Sequence, residues 1–393
     1  MPLTHWEVEV TGNSYRDQFL LEPGRVHLNH GSFGAVPRPV LEAYQEWQRR
    51  IEANPNRFMF HELEGHLQTS REALAGYLGT SADNLVFVPN ATFGMNFVAR
   101  GLGLQAGDEV LTSNHEYGAV ERLWHFVAQK TGAVIKFHHL PEPLTTEARF
   151  VEAFWQGVTE RTKVISLSHI TAPTGLIFPL AEVCRRARQA GILTLIDGAH
   201  APGQIDLSLD TLGADFYTGN GHKWLCTPRG AAFLYAHPEV QSRLEPLIVS
   251  WGYDSPTASG KTFQDYFSWI GTSDPSPYLA VADAVAFQRN IDPALLDAQH
   301  RLAVDAWQEL QALFGEAPLA EPPEYWLARM AAVGLPADID RAQWMERLSN
   351  EHQIEVIIRE WEGRSLLRIS LQVYNDRNDL DRLLSALQKL RQG

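Results

Sequence analysis

Residues Ala214 to Gly230, Ala-Asp-Phe-Tyr-Thr-Gly-Asn-Gly-His-Lys-Trp-Leu-Cys-Thr-Pro-Arg-Gly, set one lysine on a glycine-hinged turn between two apolar segments. The run Asp215 to Tyr217 leads into Thr218-Gly219-Asn220-Gly221, which reads as the turn, and Gly230 to Tyr235 leads away from it. Two glycines, an amide and an imidazole just before Lys223 let a bound anion come close to the backbone, while Trp224 and Leu225 give the amine an apolar wall. A lysine desolvated in this way loses its preference for the ammonium form and becomes a usable amine nucleophile. Taken alone, the stretch also reads as a surface lysine on a polar turn.

The segment upstream, Gly191-Ile-Leu-Thr-Leu-Ile-Asp197-Gly-Ala-His200, decides between the two. Its branched apolar residues read as a buried parallel strand, and Asp197 stands at the carboxyl end, where open α/β sheets place their ligands. A helix cap is the alternative for Asp197. Strand, acid, second strand and His-Lys turn bring a carboxylate and an amine to one crevice. That pair suits pyridoxal phosphate, with Lys223 as its Schiff-base partner and Asp197 on the pyridinium nitrogen.

Three further segments stand in order with this pair: His27-Leu-Asn-His-Gly-Ser-Phe-Gly-Ala-Val-Pro37, Asn90-Ala-Thr-Phe-Gly-Met-Asn96 and Asn114-His-Glu-Tyr-Gly-Ala119. With Asp197 and Gly221-His222-Lys223 they resemble the fold-type I pyridoxal-phosphate enzymes of the class V aminotransferase group, and within it the isopenicillin N epimerase-like proteins. The resemblance runs from about residue 20 to about residue 375. It implies an α/β PLP-transferase fold type I: a mainly parallel seven-stranded sheet flanked by helices, with a smaller α+β C-terminal domain. The expected division is an N-terminal arm over 1–20, a large cofactor-binding domain over 21–280 and a small domain over 281–393. It also implies a homodimer with its active sites at the subunit interface.

Composition sets outer limits. A chain of 393 residues with 45% hydrophobic content buries a large core and exceeds the usual size of one domain. Its formal charge of -14 disfavours nucleic acid and anionic membrane, both of which demand basic surface. The 2 cysteines, Cys184 and Cys226, give neither a disulfide framework nor a zinc spacing, so a reducing cytoplasm is the simplest setting and no metal is expected. The first ten residues lack a basic and apolar signal pattern, and no run reaches the length of a membrane span.

The candidate site residues follow from the pattern and from the resemblance. A strand at Asn84 to Val88 feeds a small hydroxylated turn and a helical run from Met95, a phosphate cradle in which the Ala91 amide and the Thr92 hydroxyl meet the anion; a plain N-cap is the alternative for Thr92. His222 and Asn220 join them at the phosphate. The resemblance places a planar group over the cofactor ring at His115 or Tyr117, with Tyr117 preferred. It puts His200 at the phenolic oxygen; where many relatives carry an asparagine this chain has Ala172, so Thr171 or His200 takes that contact. Asn29, Gly31 and Ser32 lie at the substrate's edge, and Arg57, beside aromatics, is either a substrate contact or an exposed ion pair. Gly271 and Thr272 resemble the segment that reaches a neighbouring subunit's phosphate. Two C-terminal strands, Gln353 to Arg359 and Leu366 to Leu371, read by alternation. On the second, Arg368 corresponds to the arginine that grips a substrate α-carboxylate in a bidentate pair.

The implied chemistry is cleavage of Cα–H in a small amino-acid-type substrate, with Lys223 moving the proton. An epimerase adds a second acid, Tyr117 or His115, or a mobile Lys223. A C–S β-lyase acting on a cysteine conjugate or sulfoxide needs Lys223 alone, and an aminotransferase reprotonates the cofactor carbon. A retired, pyridoxal-phosphate-binding protein without turnover is the non-enzymatic alternative. Persulfide-forming desulfuration is disfavoured, because no cysteine follows Cys226.

Overall fold

Short apolar runs separated by helical segments build one covered sheet. The computed structural model describes residues 15–256 and 258–392, so residues 1–14 of the expected arm lie outside the described residues. Seven strands form the sheet: β1 (Leu85–Val88), β2 (Glu109–Ser113), β3 (Val134–His138), β4 (Thr162–Ser168), β5 (Leu193–Asp197), β6 (Phe216–Asn220) and β7 (Ala232–Ala236). Their order is β3-β2-β4-β5-β6-β7-β1. Neighbours run parallel except β7, which is antiparallel to both β6 and β1.

Alternation along each strand splits its side chains between two cores. Leu111, Ile165, Ile196, Tyr217 and Phe233 enter one apolar cluster, while Val110, Val164, Leu195, Phe216 and Leu234 enter the other. Helices cover both faces, which is why strands such as Leu85–Val88 and Ala232–Ala236 are apolar and buried throughout. The chain reverses its travel across the sheet between β2 and β4, and the carboxyl ends of β2, β4, β5 and β6 open there as a crevice.

A second sheet closes over that crevice. Its strands β8 (Met330–Leu335), β9 (Ile357–Trp361) and β10 (Arg364–Ser370) lie antiparallel in the order β9-β10-β8. Val26–His27 pairs in parallel with Ile354–Glu355, and Asn29 bridges to Ser370, so the first described segment is sewn to the C-terminal sheet.

Four sequence expectations change. The strand expected over Gln353 to Arg359 is two, Ile354–Glu355 and β9 (Ile357–Trp361), which pair in different sheets. Strand β8 was not foreseen, because Met-Ala-Ala-Val-Gly-Leu is buried almost throughout and shows no alternation. The helix after β1 spans Ala91–Gly101 rather than starting at Met95, since Asn90 Oδ1 accepts the Phe93 N–H at 3.0 Å and caps it at the strand's end. Thr218-Gly219-Asn220 continues β6 rather than turning, paired with Leu234, Phe233 and Ala232 of β7. The division expected near residue 280 falls between the helices Ser276–Leu279 and Val281–Arg289. Among the described residues no helix is long and apolar enough to cross a membrane.

Candidate active site

Strand β5 ends on Asp197, which stands in register with Ser168 of β4 and Thr218 of β6. Its Oδ1 accepts the Ala199 N–H at 2.9 Å. Burial raises the carboxyl's pKa, while that hydrogen bond and the charge of Lys223 pull the other way. No ion pair reaches Asp197 among the described residues, so an ionised Asp197 calls for a cationic partner in the crevice.

Lys223 follows β6 on the next strand end. It is half-buried, and desolvation, reinforced by Arg368 and Arg359, lowers its pKa to about 7 despite Asp197. Its Nζ lies 3.0 Å from His200 Nε2, and the Trp224 indole N–H meets His200 Nδ1 at 3.3 Å. An indole only donates, so Nδ1 accepts and a neutral His200 carries its proton on Nε2. Burial keeps His200 neutral, lowering its pKa well below the usual value. Lys223 therefore accepts from His200, which requires the free-base amine.

The backbone beneath the lysine is pinned by residues the sequence reading did not single out. His30 Nε2 donates to the Lys223 carbonyl at 2.9 Å and its Nδ1 accepts from the Tyr374 hydroxyl at 2.9 Å. The Gln288 amide donates to the Trp224 carbonyl at 2.7 Å. Gly34 (φ 69°) packs so tightly on this turn that a Cβ would overlap the His222 carbonyl. Gly34→Ala is therefore expected to cost more than about 2 kcal/mol, combining left-handed strain with a backbone overlap. An unchanged thermal melt and unchanged turnover would contradict this packing.

The residues expected at the substrate's edge converge. Arg368 is fully buried; its Nη1 donates to the Ala172 carbonyl, its Nη2 reaches Ser32 Oγ at 3.3 Å, and Ser32 Oγ donates to Asn29 Oδ1 at 2.6 Å. Gly31 lies against Ser370 Oγ and His200 Cε1. Burial, with Arg359 as a second cause, holds the Arg368 pKa down to about 9. Arg368 has no carboxylate partner among the described residues, and its Nε and the neighbouring Ser370 Oγ are buried without a hydrogen bond.

At the β1 and β6 ends, Asn220 Oδ1 accepts the Ala91 N–H at 2.9 Å, so the amide expected at the phosphate is engaged by Asn220. Thr92 stands exposed in the first turn of that helix. Burial lowers the His222 pKa to about 4, and its buried Nδ1 has no partner among the described residues.

The two ring candidates separate. His115 is buried beside Trp361 (4.5 Å between ring centroids), with Nδ1 3.0 Å from Thr174 Oγ1 and Nε2 without a partner among the described residues. Burial lowers its pKa to about 3, so it is neutral. Tyr117 is 42% exposed at the N-cap of helix Gly118–Thr131. Between them Glu116, also missed in the sequence, receives the Ser113 and Ser168 hydroxyls at 2.7 Å each and so ties β2 to β4. Burial pushes its carboxyl up to about 7.

Thr171 is buried and joins His115 through the Thr174 hydroxyl, at 2.6 Å from its own, while it accepts the Leu176 amide. The remaining candidates lie apart from these contacts. Arg57 is paired with Glu62 at 3.0 Å with 72% of its side chain exposed, the surface ion pair that was its other reading. Gly271 and Thr272 sit on the outer loop between helices Thr262–Phe267 and Ser276–Leu279. A desolvated amine, an unpaired buried acid, an unpaired buried guanidinium and orphaned imidazole nitrogens on one crevice fit an anionic pyridine aldehyde and an amino acid.

Comparison with known proteins gives the family and the fold. The family description Aminotransferase class-V matches residues 32–383. Isopenicillin N epimerase of Streptomyces clavuligerus is 35% identical, covering 99% of this chain and 99% of its own. Putative L-cysteine desulfhydrase 1 of Oryza sativa subsp. japonica is 29% identical over 94% of this chain and 84% of its own. Among solved structures, the cysteine desulfurase of Thermococcus onnurineus superposes with a TM-score of 0.84 at 21% identity, covering 98% of this chain and 99% of its own; at that identity the likeness is one of fold.

Proposed function

We propose that the chain, which belongs to the aminotransferase class-V family and is a pyridoxal-phosphate enzyme, ionises the Cα–H bond of an amino acid and acts as an epimerase. The observation that carries the Cα–H reading is the amine of Lys223, held as a free base by His200 beside an uncompensated arginine. When bound, pyridoxal phosphate supplies an electron sink for charge left at Cα. Asp197 would hold its ring nitrogen, Asn220, His222 and Thr92 its phosphate, His200 rather than the engaged Thr171 its phenolic oxygen, and His115 or Tyr117 its ring face. Gly271 and Thr272 would serve a second copy's phosphate in a cytoplasmic homodimer.

Lys223 accepts the Cα proton, and Arg368, steadied by Ala172 and Ser32, binds the α-carboxylate and so fixes which Cα bond faces the amine. Epimerisation needs a second acid on the opposite face or a mobile Lys223. Tyr117, partly exposed just past the carboxyl end of β2, is the residue we propose for the acid. The epimerase reading is supported by the 35% relative; the desulfhydrase relatives favour C–S β-elimination as the second reading, for which Lys223 alone suffices. Desulfuration through an enzyme persulfide is disfavoured, since Cys184 and Cys226 are buried and burial pushes both thiols up to about 12.

The test is incubation of the yellow holoenzyme with amino acids in deuterated water. Deuterium at Cα with loss of optical purity is the expected result. Pyruvate and ammonia without racemisation replace the epimerase with the lyase. A protein that stays colourless with added cofactor overturns both.

A further inference from the structure

Arg359 is a cation the sequence reading passed over, and its placement is fixed by strand register. On the β9–β10 pair Ile357 opposes Arg368 and Arg359 opposes Leu366, so Arg359 and Arg368 lie diagonally on one face, roughly 7–8 Å apart at the backbone. The neighbours show where that face looks. Trp361 donates its indole N–H to the Asn114 carbonyl and packs on His115, at the carboxyl end of β2. The alternate residues turn away: Ile358 is buried by the helix side, where its N–H meets Met345 Sδ, and Glu360 pairs with Arg341 at 2.8 Å.

The charges on this face are unevenly matched. Arg364 is neutralised by Glu142 at 2.7 Å, whereas neither Arg359 nor Arg368 has an acidic partner among the described residues, and the Nε of each is buried without a hydrogen bond. The Glu360 carboxylate next to Arg359 is already spent on Arg341. Two like charges held together on one wall raise each other's cost unless anions reach them. Their depths differ: Arg368 is fully buried with both Nη groups engaged, while Arg359 is half-buried. The step between them along the strand, roughly 6–7 Å for two residues, is on the order of the length of an extended acidic side chain.

Resting on the proposed reaction at this site, we infer that Arg359 is a specificity residue that receives a second anionic group, on the side chain of the amino-acid substrate whose α-carboxylate Arg368 holds. The substrate class is thereby an amino acid with an acidic side chain. The positive charge of Arg359 helps to lower the pKa of Lys223, His200 and Arg368.

The test uses holoenzyme and the isosteric pairs L-glutamate with L-glutamine and L-aspartate with L-asparagine. Affinity is read from the visible band, and Cα deuterium exchange is followed in parallel. At least one acidic member is expected to bind about 10- to 100-fold more tightly than its amide, the range of a charge-assisted hydrogen bond. Arg359→Gln should bring the pair to within about threefold in Kd and KM, Arg359→Lys should retain the preference, and Arg359→Glu should move it toward L-ornithine. Equal binding of both members by the wild type, or a preference untouched by Arg359→Gln in folded holoenzyme, overturns the inference while leaving the reaction intact. Charge-dependent binding without Cα exchange sustains the inference and removes the reaction.

Discussion

Lys223→Ala is expected to reduce turnover by at least about 10³-fold, because proton transfer at Cα then has no positioned base. His200 cannot stand in for it. Burial keeps its imidazole neutral, and the nitrogen that could accept, Nδ1, is committed to the Trp224 indole. The visible band of the bound cofactor should be lost or displaced, while circular dichroism stays native, since His30 and Gln288 hold the turn through backbone carbonyls that alanine retains. Turnover within tenfold of wild type would end the assignment of Lys223 as the base. Cofactor-free protein gives a second reading. The amine's folded pKa of about 7 lies below its ordinary 10.5, so the unfolded chain binds more protons between those values. The contribution of Lys223 to stability is full above about pH 10.5 and is lost as pH falls through about 7. Wild-type apoprotein should gain stability with rising pH across that window by more than Lys223→Ala does, as denaturant melts at several pH values would show.

Asp197→Asn is expected to lower turnover by at least about 100-fold while making the apoprotein more stable at neutral pH, opposite signs from one carboxylate. Activity falls because an amide cannot hold a positive charge on the cofactor's ring nitrogen. Stability rises for the reason that drives the pKa: burial raises the folded carboxyl above its ordinary value, so its contribution is full at low pH and is lost as pH rises through the raised value. Asparagine keeps an oxygen for the Ala199 N–H and carries no charge to desolvate. Lower apoprotein stability at pH 7, or unimpaired turnover, would show that Asp197 is neither desolvated nor opposite the ring nitrogen.

Much of the site was legible because its segments are local devices. A strand ending in an acid and a lysine just past a second strand each announce themselves within ten or so residues, and the covered sheet shows in short unbroken apolar runs such as Leu85–Val88. The outer turn with Asn29 and Ser32 was likewise visible, and the fold joins it to Arg368 by the Ser32 hydroxyl. Strand β8 escaped notice because a strand buried nearly throughout loses the period of two.

The chain's own letters thus determined its class of fold and the acid and amine at neighbouring strand ends, since each depends on side-chain type and short-range period, while Arg368 was singled out by the family resemblance. Tertiary structure alone decided that His200 takes its proton on Nε2, that His30 braces the lysine's carbonyl, and that Arg359 shares a wall with Arg368. Each of those facts is a contact between residues far apart in the chain, set by how strands register and how deeply groups are buried, and neither quantity is written in any single stretch of sequence.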